Sequence, residues 1–83
     1  MYKVEIVKSA LKELSKIPIK EAIWVTEKIY ELKDNPRPNG CVKLSGSKDE
    51  YRIRVGNYRV LYTIEGNILL VTIFKIGHRK DVY

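Results

Sequence analysis

The amino-acid sequence predicts a two-layer α+β domain, in which two helices pack on one face of a mostly antiparallel sheet. The pairs Gly56-Asn57 and Gly66-Asn67 separate three runs of alternating apolar and polar residues, a pattern typical of two-residue hairpin turns. Before residue 40, apolar residues recur instead at helical spacing. Because the strands and helices fall in separate parts of the chain, we expect the order β-α-α-β-β-β-β in a single domain spanning residues 1–83.

The N-terminal half is predicted to hold one strand and two helices. Tyr2–Val7 alternates and is expected to form the strand. Ser9 is the expected N-cap of a short helix over Ala10–Lys16, which Pro18 ends. A longer amphipathic helix is expected over Glu21–Lys33. Its apolar stripe, with two residues that widen it, consists of Ala22, Val25, Ile29 and Leu32, with Ile23 and Tyr30.

The C-terminal half is predicted to hold the other four strands. Residues 35–40 form a loop rich in proline, asparagine and glycine. A short strand over Val42–Leu44 and a turn over Ser45–Asp49 follow. The three-strand meander then extends to about Ile76. Cys41 is expected to be a small buried residue at the start of the short strand.

The register of the first hairpin separates a basic face from an apolar face. A two-residue turn at Gly56-Asn57 places Arg54 opposite Arg59, with Arg52 on the same face. The other face is almost wholly apolar and is predicted to pack against the helices; it consists of Tyr51, Ile53, Val55, Val60, Tyr62, Ile64, Leu69, Val71 and Ile73. A one-residue slip would bury the arginines, at high cost. Since opposed like charges destabilise a hairpin, we expect the basic face to bind an anion.

Composition favours a polyanionic partner and a cytoplasmic location. The 83 residues have a formal net charge of +6, and the arginines, with one exception, lie beyond residue 40. The single cysteine excludes an intrachain disulfide, as is usual in a reducing cytoplasm. Residues 1–6 lack the apolar run of a signal peptide. No apolar stretch approaches the roughly 18 residues of a membrane span.

The residue types argue against a metal or a bound cofactor. The sequence argues against a zinc site, because it contains one histidine, one cysteine and no clustered carboxylates. A two-metal nuclease needs several converging carboxylates, which the basic face does not offer. No glycine-rich phosphate loop precedes a helix. We therefore expect neither a metal nor a cofactor.

The C-terminal tail suggests RNA cleavage without a metal. His78, Arg79 and Tyr83 follow the last strand and are expected to lie near the basic face. The 2′-hydroxyl of RNA is an internal nucleophile, so a base, cations around the phosphate and an acid are sufficient for cleavage. The products would be a 2′,3′-cyclic phosphate and a 5′-hydroxyl. A surface or capping role for His78, and packing at the sheet edge for Tyr83, are the alternatives.

These residues give the chain a resemblance to the RelE branch of the RelE/ParE toxin superfamily. The resemblance covers the whole chain. It rests on Ala10-Leu11-Lys12-Glu13-Leu14, Asn35-Pro36-Arg37, Lys43-Leu44-Ser45-Gly46, the run Tyr51–Tyr62 and the ending Ile76–Tyr83. It implies a toxin of a type II toxin–antitoxin pair, neutralised by a RelB-like antitoxin, that cleaves mRNA in the ribosomal A site. It also implies that the active-site positions are Arg52, Arg54, Arg59, Arg79 and Tyr83.

The resemblance implies roles for the basic residues, two of which differ from the family. The best-known members carry lysines at the first two basic positions, whereas Arg52 and Arg54 stay protonated. The base is therefore expected to be Tyr83, with His78 as the alternative. Arg59 and Arg79 would hold the scissile phosphate, and Arg54 or His78 would assist the leaving group. The expected RNA-binding residues are Arg52, Lys43, Lys48 and Lys80.

Two other functions are compatible with the same sequence. One is that of a ParE-like toxin, which inhibits DNA gyrase without cutting RNA, since a shared fold does not settle function. The other is a non-catalytic module that binds RNA or the ribosome. The combination of Arg59, Arg79 and Tyr83 favours the ribosome-dependent endoribonuclease.

Overall fold

In the computed structural model, which describes residues 1–46 and 48–80, two helices cover one face of a five-stranded sheet. The strand order is β1-β5-β4-β3-β2. β1 runs parallel to β5, and the other neighbours are antiparallel. The elements are β1 Lys3–Ile6, α1 Lys8–Ser15, α2 Ile19–Glu31, β2 Val42–Lys43, β3 Glu50–Val55, β4 Tyr58–Glu65 and β5 Leu70–His78. The predicted fold class and element order are confirmed.

The core lies between the helices and the apolar face of the sheet. Alternation along β3 and β4 sends one set of side chains to this face, as period two requires. Val25, Ile29 and Leu32 of the second helical segment meet that set and are fully buried. The sheet contributes Tyr51, Ile53, Val55, Val60, Tyr62, Ile64, Val71, Ile73 and Ile76. No helix in the described part of the chain is long and apolar enough to cross a membrane.

Both helix starts differ from the sequence prediction. α1 begins at Lys8 directly after Val7, whose backbone is extended and which makes no side-chain cap hydrogen bond, so Ser9 is not the N-cap. The Val7 carbonyl accepts the Leu11 N–H at 3.0 Å and starts the helix without a polar cap. Pro18 serves as the N-cap of α2, whereas α1 has already ended at Ser15. Since proline lacks an N–H, it loses nothing at a helix start.

The apolar stripe of α2 is narrower than predicted. Ile23 and Tyr30 were expected to widen the buried stripe, but they are 54% and 55% exposed. They lie towards the outer border of the helix, and Ile23 lines an apolar groove with Leu11 and Ile19 between the two helices. The sheet therefore meets only the central stripe of this helix.

The two predicted turns have different outcomes. Gly56 and Asn57 form a two-residue turn, and Val55 pairs with Tyr58 as predicted. The second connection contains four residues, 66–69, because the next ladder pair joins Glu65 to Leu70. Leu69 has φ +53° and is 46% exposed, so its predicted place on the apolar face is wrong. The two extra residues shift the register by an even number, so the other side chains keep their faces.

Candidate functional site

The open face of the sheet carries the arginines predicted from the hairpin register. Arg54 lies directly opposite Arg59, and Arg52 lies opposite Leu61. Arg54 is exposed, whereas Arg52 and Arg59 are half-buried. The predicted basic face therefore exists with its predicted register.

Uncharged side chains lie between and beside the arginines on the open face and form its largely apolar floor. Leu61 is buried to 7% exposure beside Arg52, and Thr63 and Phe74 are half-buried. These neighbours partly shield the half-buried Arg52 and Arg59 from water. The attraction between an arginine and a phosphate is stronger where the local dielectric is low. This surface is therefore suited to holding an anion in a fixed position.

A β-bulge in β5 decides which of the residues after it lie beside the basic face. Tyr62 pairs with Ile73, but the neighbouring Leu61 pairs with Lys75, so Phe74 is the extra residue. Beyond the bulge, Gly77 lies opposite Arg59. Without it, the ladder would place Ile76 opposite Arg59. The bulge keeps Ile76 in the core, where it is 1% exposed.

Arg79 is tied to the hairpin turn next to the arginine pair. Its backbone N–H donates to the Asn57 carbonyl at 2.8 Å, which extends the pairing of β4 and β5 by one residue. Its side chain is exposed. The Gly56-Asn57 turn is thus flanked by Arg54 at the end of β3, Arg59 at the start of β4 and Arg79 after β5. The structure brings these three predicted site residues to one end of the sheet.

His78 lies on a different side of the strand from the arginine pair. It pairs with Tyr58, and the two rings make an edge-on contact with centroids 5.7 Å apart. Its Nδ1 accepts the Lys80 N–H at 3.2 Å. Tyr58 packs against the core cluster, so this register directs His78 towards the helix-covered face. This placement could not be predicted from the alternation along β5, because the bulge changes which residues of the strand share a face.

The predicted lysines surround the sheet rather than forming one cluster. Lys43 on β2 pairs with Tyr51, which places it on the helix-covered face, and it is exposed. Lys48 is exposed in the connection before β3, and Lys80 is exposed after β5. Tyr83, the candidate base, lies outside the described residues.

A cleft adjoins the basic face, and it was not predicted from the sequence. It has a volume of about 470 Å³ and lies between β3, α2 and the loop at residues 38–40. Arg52 and Arg54 line it together with Lys28 and Glu31 of α2, which form an ion pair at 3.6 Å. Its size is within the range of about 300–1,000 Å³ typical of ligand pockets. Two predicted site residues, the RNA-binding Arg52 and the catalytic Arg54, therefore border a concave surface.

A hydrogen-bonded tyrosine anchors the loop that forms one wall of this cleft. The Tyr62 hydroxyl donates to the Pro36 carbonyl at 2.7 Å and lies 3.3 Å from Cys41 Sγ. Because the hydroxyl hydrogen is used on Pro36, the Cys41 thiol is the donor in the second contact. Burial, followed by the Cys41 hydrogen bond, raises the pKa of the Tyr62 hydroxyl well above its usual range. The half-buried Cys41 is thus part of a structural contact.

A second contact holds the same loop against β3. The Arg37 Nε donates to the Tyr51 hydroxyl at 3.2 Å, and the guanidinium lies 5.1 Å from the centre of the Tyr51 ring. The Tyr51 ring in turn stacks on Tyr62 with centroids 6.0 Å apart. The hydrogen bond to Tyr51 raises the pKa of the Arg37 guanidinium, which stays charged. These contacts fix the loop beside Arg52 and Arg54.

Within residues 1–46 and 48–80, no three side chains of histidine, cysteine, aspartate or glutamate come together as a metal site would need. The described charges of the basic face are instead guanidinium groups. Guanidinium groups bind phosphate through two parallel hydrogen bonds and stay protonated. This arrangement can bind a phosphodiester and stabilise negative charge that develops on it.

The fold and the basic sheet face define a class of small toxins from toxin–antitoxin pairs. The chain superposes on a chain of the archaeal RelE–RelB complex from Pyrococcus horikoshii OT3 with a TM-score of 0.85 and 30% identity, covering 98% of each chain. The isolated RelE toxin of Escherichia coli matches with a TM-score of 0.82 and 26% identity, covering 94% of this chain and 84% of that one.

Sequence comparison leads to the same family. Residues 4–83 match the family described as ParE toxin of type II toxin–antitoxin system, parDE. The candidate toxin RelE1 of Methanocaldococcus jannaschii is 35% identical over 85 aligned residues, covering 99% of this chain and 94% of that protein. The chain therefore belongs to the RelE/ParE superfamily and is a RelE-like toxin of a type II toxin–antitoxin system.

Proposed function

We propose that this toxin is a ribosome-dependent endoribonuclease that cleaves mRNA in the A site and so inhibits translation. The observation that carries the proposal is the cross-strand pair of Arg54 and Arg59, with Gly77 on the other side of Arg59 and Arg79 tied to the adjacent turn. A fold that keeps two like charges directly opposite each other forgoes stability. Each of these guanidinium groups is able to donate two parallel hydrogen bonds to a phosphodiester bound on this face.

In the proposed reaction, the 2′-oxygen of the RNA attacks the neighbouring phosphorus and the bond to the 5′-oxygen breaks. Tyr83 is the proposed base that takes the 2′-hydroxyl proton. Arg59 and Arg79 hold the phosphate and stabilise the charge on the phosphorane. The leaving oxygen takes a proton with assistance from Arg54 or His78. Arg54 has the support of lying on the same face as Arg59, whereas His78 pairs with Tyr58.

The remaining basic residues are proposed to bind RNA around this centre. Arg52 lies two residues before Arg54 on β3 and lines the adjoining cleft, so we assign it to positioning the mRNA. Lys43, Lys48 and Lys80 are exposed and are assigned to contacts with ribosomal or messenger RNA. These lysines are spread around the sheet, which is consistent with a partner larger than one strand of RNA.

We also propose a cognate RelB-like antitoxin as the neutralising partner. The structural relatives include toxin–antitoxin complexes, among them RelE–RelB from Pyrococcus horikoshii and RelBE2 from Mycobacterium tuberculosis. An acidic segment that folds on binding would match the basic face with its apolar floor. Since the ribosome and the antitoxin are both cytoplasmic, the toxin is placed in the cytoplasm.

The test is cleavage of mRNA on programmed ribosomes with an empty A site, with primer extension as the readout. The variants are Arg59→Ala, Arg79→Ala and Tyr83→Phe, and the control is Lys12→Ala on the exposed surface of α1. We expect a stop within the A-site codon for the wild type and the control. Arg59→Ala and Arg79→Ala should each be about 10²- to 10³-fold slower, as when an enzyme loses one group that stabilises transition-state charge. Tyr83→Phe, which removes the proposed base, should be about 10²- to 10⁴-fold slower. No cleavage by the wild type, despite growth arrest on expression, would refute the proposal.

The alternative of a ParE-like toxin has one observation in its favour, which is the match to the family described as ParE toxin. It predicts inhibition of DNA gyrase in a supercoiling assay and no cleavage of A-site mRNA. A non-catalytic RNA-binding module predicts instead that Tyr83→Phe has no effect, whereas arginine variants weaken ribosome binding. Loss of cleavage with retained ribosome binding in Tyr83→Phe excludes the module.

A further inference from the structure

Within residues 1–46 and 48–80, no strand pairs with the outer edge of the last part of β5. β1 pairs with β5 only from Leu70 to Ile73, and the chain then leaves the sheet to begin α1 at Lys8. Residues 74–78 of β5 therefore continue past the end of β1. A backbone N–H on such an edge needs another acceptor when it is shielded from water. The same residues follow the β-bulge and lead to Arg79.

A carboxylate from α1 supplies the missing acceptor. Glu13 Oε1 accepts the backbone N–H of Ile76 at 2.9 Å. Its other oxygen, Oε2, accepts a hydrogen bond from Lys75 Nζ at 3.0 Å. The Glu13 side chain is 31% exposed, so these bonds are partly shielded from solvent. One side chain thus contacts two successive residues of β5, 62 and 63 positions further along the chain.

The contact falls directly beyond the irregularity in the ladder between β4 and β5. The bulge at Phe74 interrupts the pairing of β4 and β5, and Lys75 and Ile76 are the first two residues beyond it. The next residue, Gly77, lies opposite Arg59. A displacement by one residue would move this end of β5 by about 3.3 Å. It would also bring Ile76 to the position opposite Arg59.

We propose that Glu13 is a positioning residue of the candidate RNA-cleaving site. It fixes β5 beyond the bulge, so that Gly77 stays beside Arg59 and Arg79 stays at the hairpin turn. Glu13 acts through the backbone of β5 and does not touch the RNA. The inference rests on the proposed nuclease function. A displacement of about 1 Å in a catalytic group is enough to slow a reaction about 10²-fold.

The two interactions of Glu13 are expected to contribute unequally to the position of β5. The ion pair with Lys75 is partly exposed, since the Lys75 side chain is 43% accessible, and exposed pairs contribute little. The bond to the Ile76 N–H satisfies a backbone group that is otherwise left without an acceptor in the fold. Glu13→Gln keeps a carbonyl oxygen for this N–H, whereas Glu13→Ala removes it. Lys75→Met removes only the ion pair.

The test combines cleavage kinetics with amide hydrogen exchange. On programmed ribosomes, Glu13→Ala is expected to lower the maximal cleavage rate about 10- to 100-fold while the half-saturating ribosome concentration stays within about twofold. Amide exchange at Ile76 and Gly77 should accelerate in the same variant. Glu13→Gln and Lys75→Met should stay close to wild type in both readouts. Glu5→Ala is the matched control, because it breaks the 3.3 Å ion pair with Lys3 on β1.

The outcomes separate this inference from the proposed function. A wild type that does not cleave refutes the proposed function, and exchange at Ile76 and Gly77 then decides by itself whether Glu13 holds β5. A wild type that cleaves no faster than Glu13→Ala, with unchanged exchange, refutes the role of Glu13. A loss in Glu13→Gln as large as in Glu13→Ala refutes the backbone hydrogen bond as its basis. If Glu13→Ala does not fold, Glu13→Asp replaces it, since it keeps the charge but is one methylene shorter.

Discussion

Tyr62 illustrates how a single residue serves both the core and the site. Its ring is fully buried in the core cluster, as the alternation along β4 predicts. Its hydroxyl donates to the Pro36 carbonyl and thereby holds the loop beside the cleft. Since Pro36 is also buried, its carbonyl has poor access to water as a substitute partner.

Tyr62→Phe is expected to destabilise the fold by about 1–3 kcal/mol near neutral pH, because it leaves the buried Pro36 carbonyl unpaired. The raised pKa of the Tyr62 hydroxyl also gives this effect a pH dependence. In the wild type, the stability due to this group is fully present below the unfolded-state pKa of about 10 and falls as pH rises above it. The loss is about 1.4 kcal/mol per pH unit in that range. Urea unfolding at pH 7, 9, 10 and 11 measures it.

The difference in stability between wild type and Tyr62→Phe should therefore shrink between pH 9 and pH 11. Tyr30→Phe is the control, because Tyr30 is 55% exposed. Removal of its hydroxyl should leave the dependence of stability on pH as in the wild type. A difference that stays constant with pH would contradict the assignment to Tyr62.

At the scale of elements, the turn between β3 and β4 sets the spacing of the arginine pair. Gly56 has φ +61°, a left-handed conformation that favours glycine. A Cβ at this position would lie 2.9 Å from Trp24 Cζ3, so the indole of α2 packs directly over the turn. The turn is thus held by its own backbone preference and by a helix on the covered face. Trp24, which the sequence alone leaves unassigned between core and surface, is 46% exposed in this role.

Gly56→Ala is expected to cost about 1–2 kcal/mol for the left-handed backbone, with an added cost for the contact with Trp24. In a Trp24→Ala background only the backbone cost should remain, so a double-mutant cycle would show coupling between the two positions. Gly40→Ala is the control, since Gly40 has φ +87° but nothing within 4 Å of its added Cβ. Equal losses in Gly56→Ala and Gly40→Ala, measured by chemical denaturation, would rule out the Trp24 contribution.

At the scale of the whole molecule, charge is arranged unevenly around the sheet. The net charge is +6. Arg52, Arg54 and Arg59 lie on the open face, whereas most exposed lysines lie on the helices and connections. A partner rich in phosphate would displace counterions from the basic residues it contacts. The salt dependence of binding can therefore distinguish lysines that contact the phosphates of the partner from lysines that do not.

Binding to programmed ribosomes is expected to weaken steeply as salt concentration rises. Lys48→Gln and Lys80→Gln should each reduce the slope of log affinity against log salt by about 0.7–1, as expected for one lost phosphate contact. Lys12→Gln is the control, since Lys12 lies on the exposed side of α1. Fluorescence anisotropy of labelled toxin over a salt series measures all four proteins. An equal change of slope in the control would show a general effect of net charge.

The sequence by itself determined the α+β class, the element order and the pairing of Arg54 with Arg59. These follow from local rules, because turn residues and period-two alternation act over a few neighbouring residues. The same rules failed at Ser9, because α1 starts at Lys8 without a polar cap, and at the second turn, because that connection contains four residues.

Only the tertiary structure decided how the end of β5 meets the basic face. The bulge at Phe74 changes which side chains share a face, so it places Gly77 beside Arg59 and His78 beside Tyr58. Its anchor, Glu13, is more than 60 positions away along the chain. Such a contact leaves no periodic trace in the sequence, because it depends on where β1 stops and on how α1 packs beside β5. The physical reason is that alternation along a strand determines which face each side chain takes, whereas a shift in register depends on contacts with residues far away in the sequence.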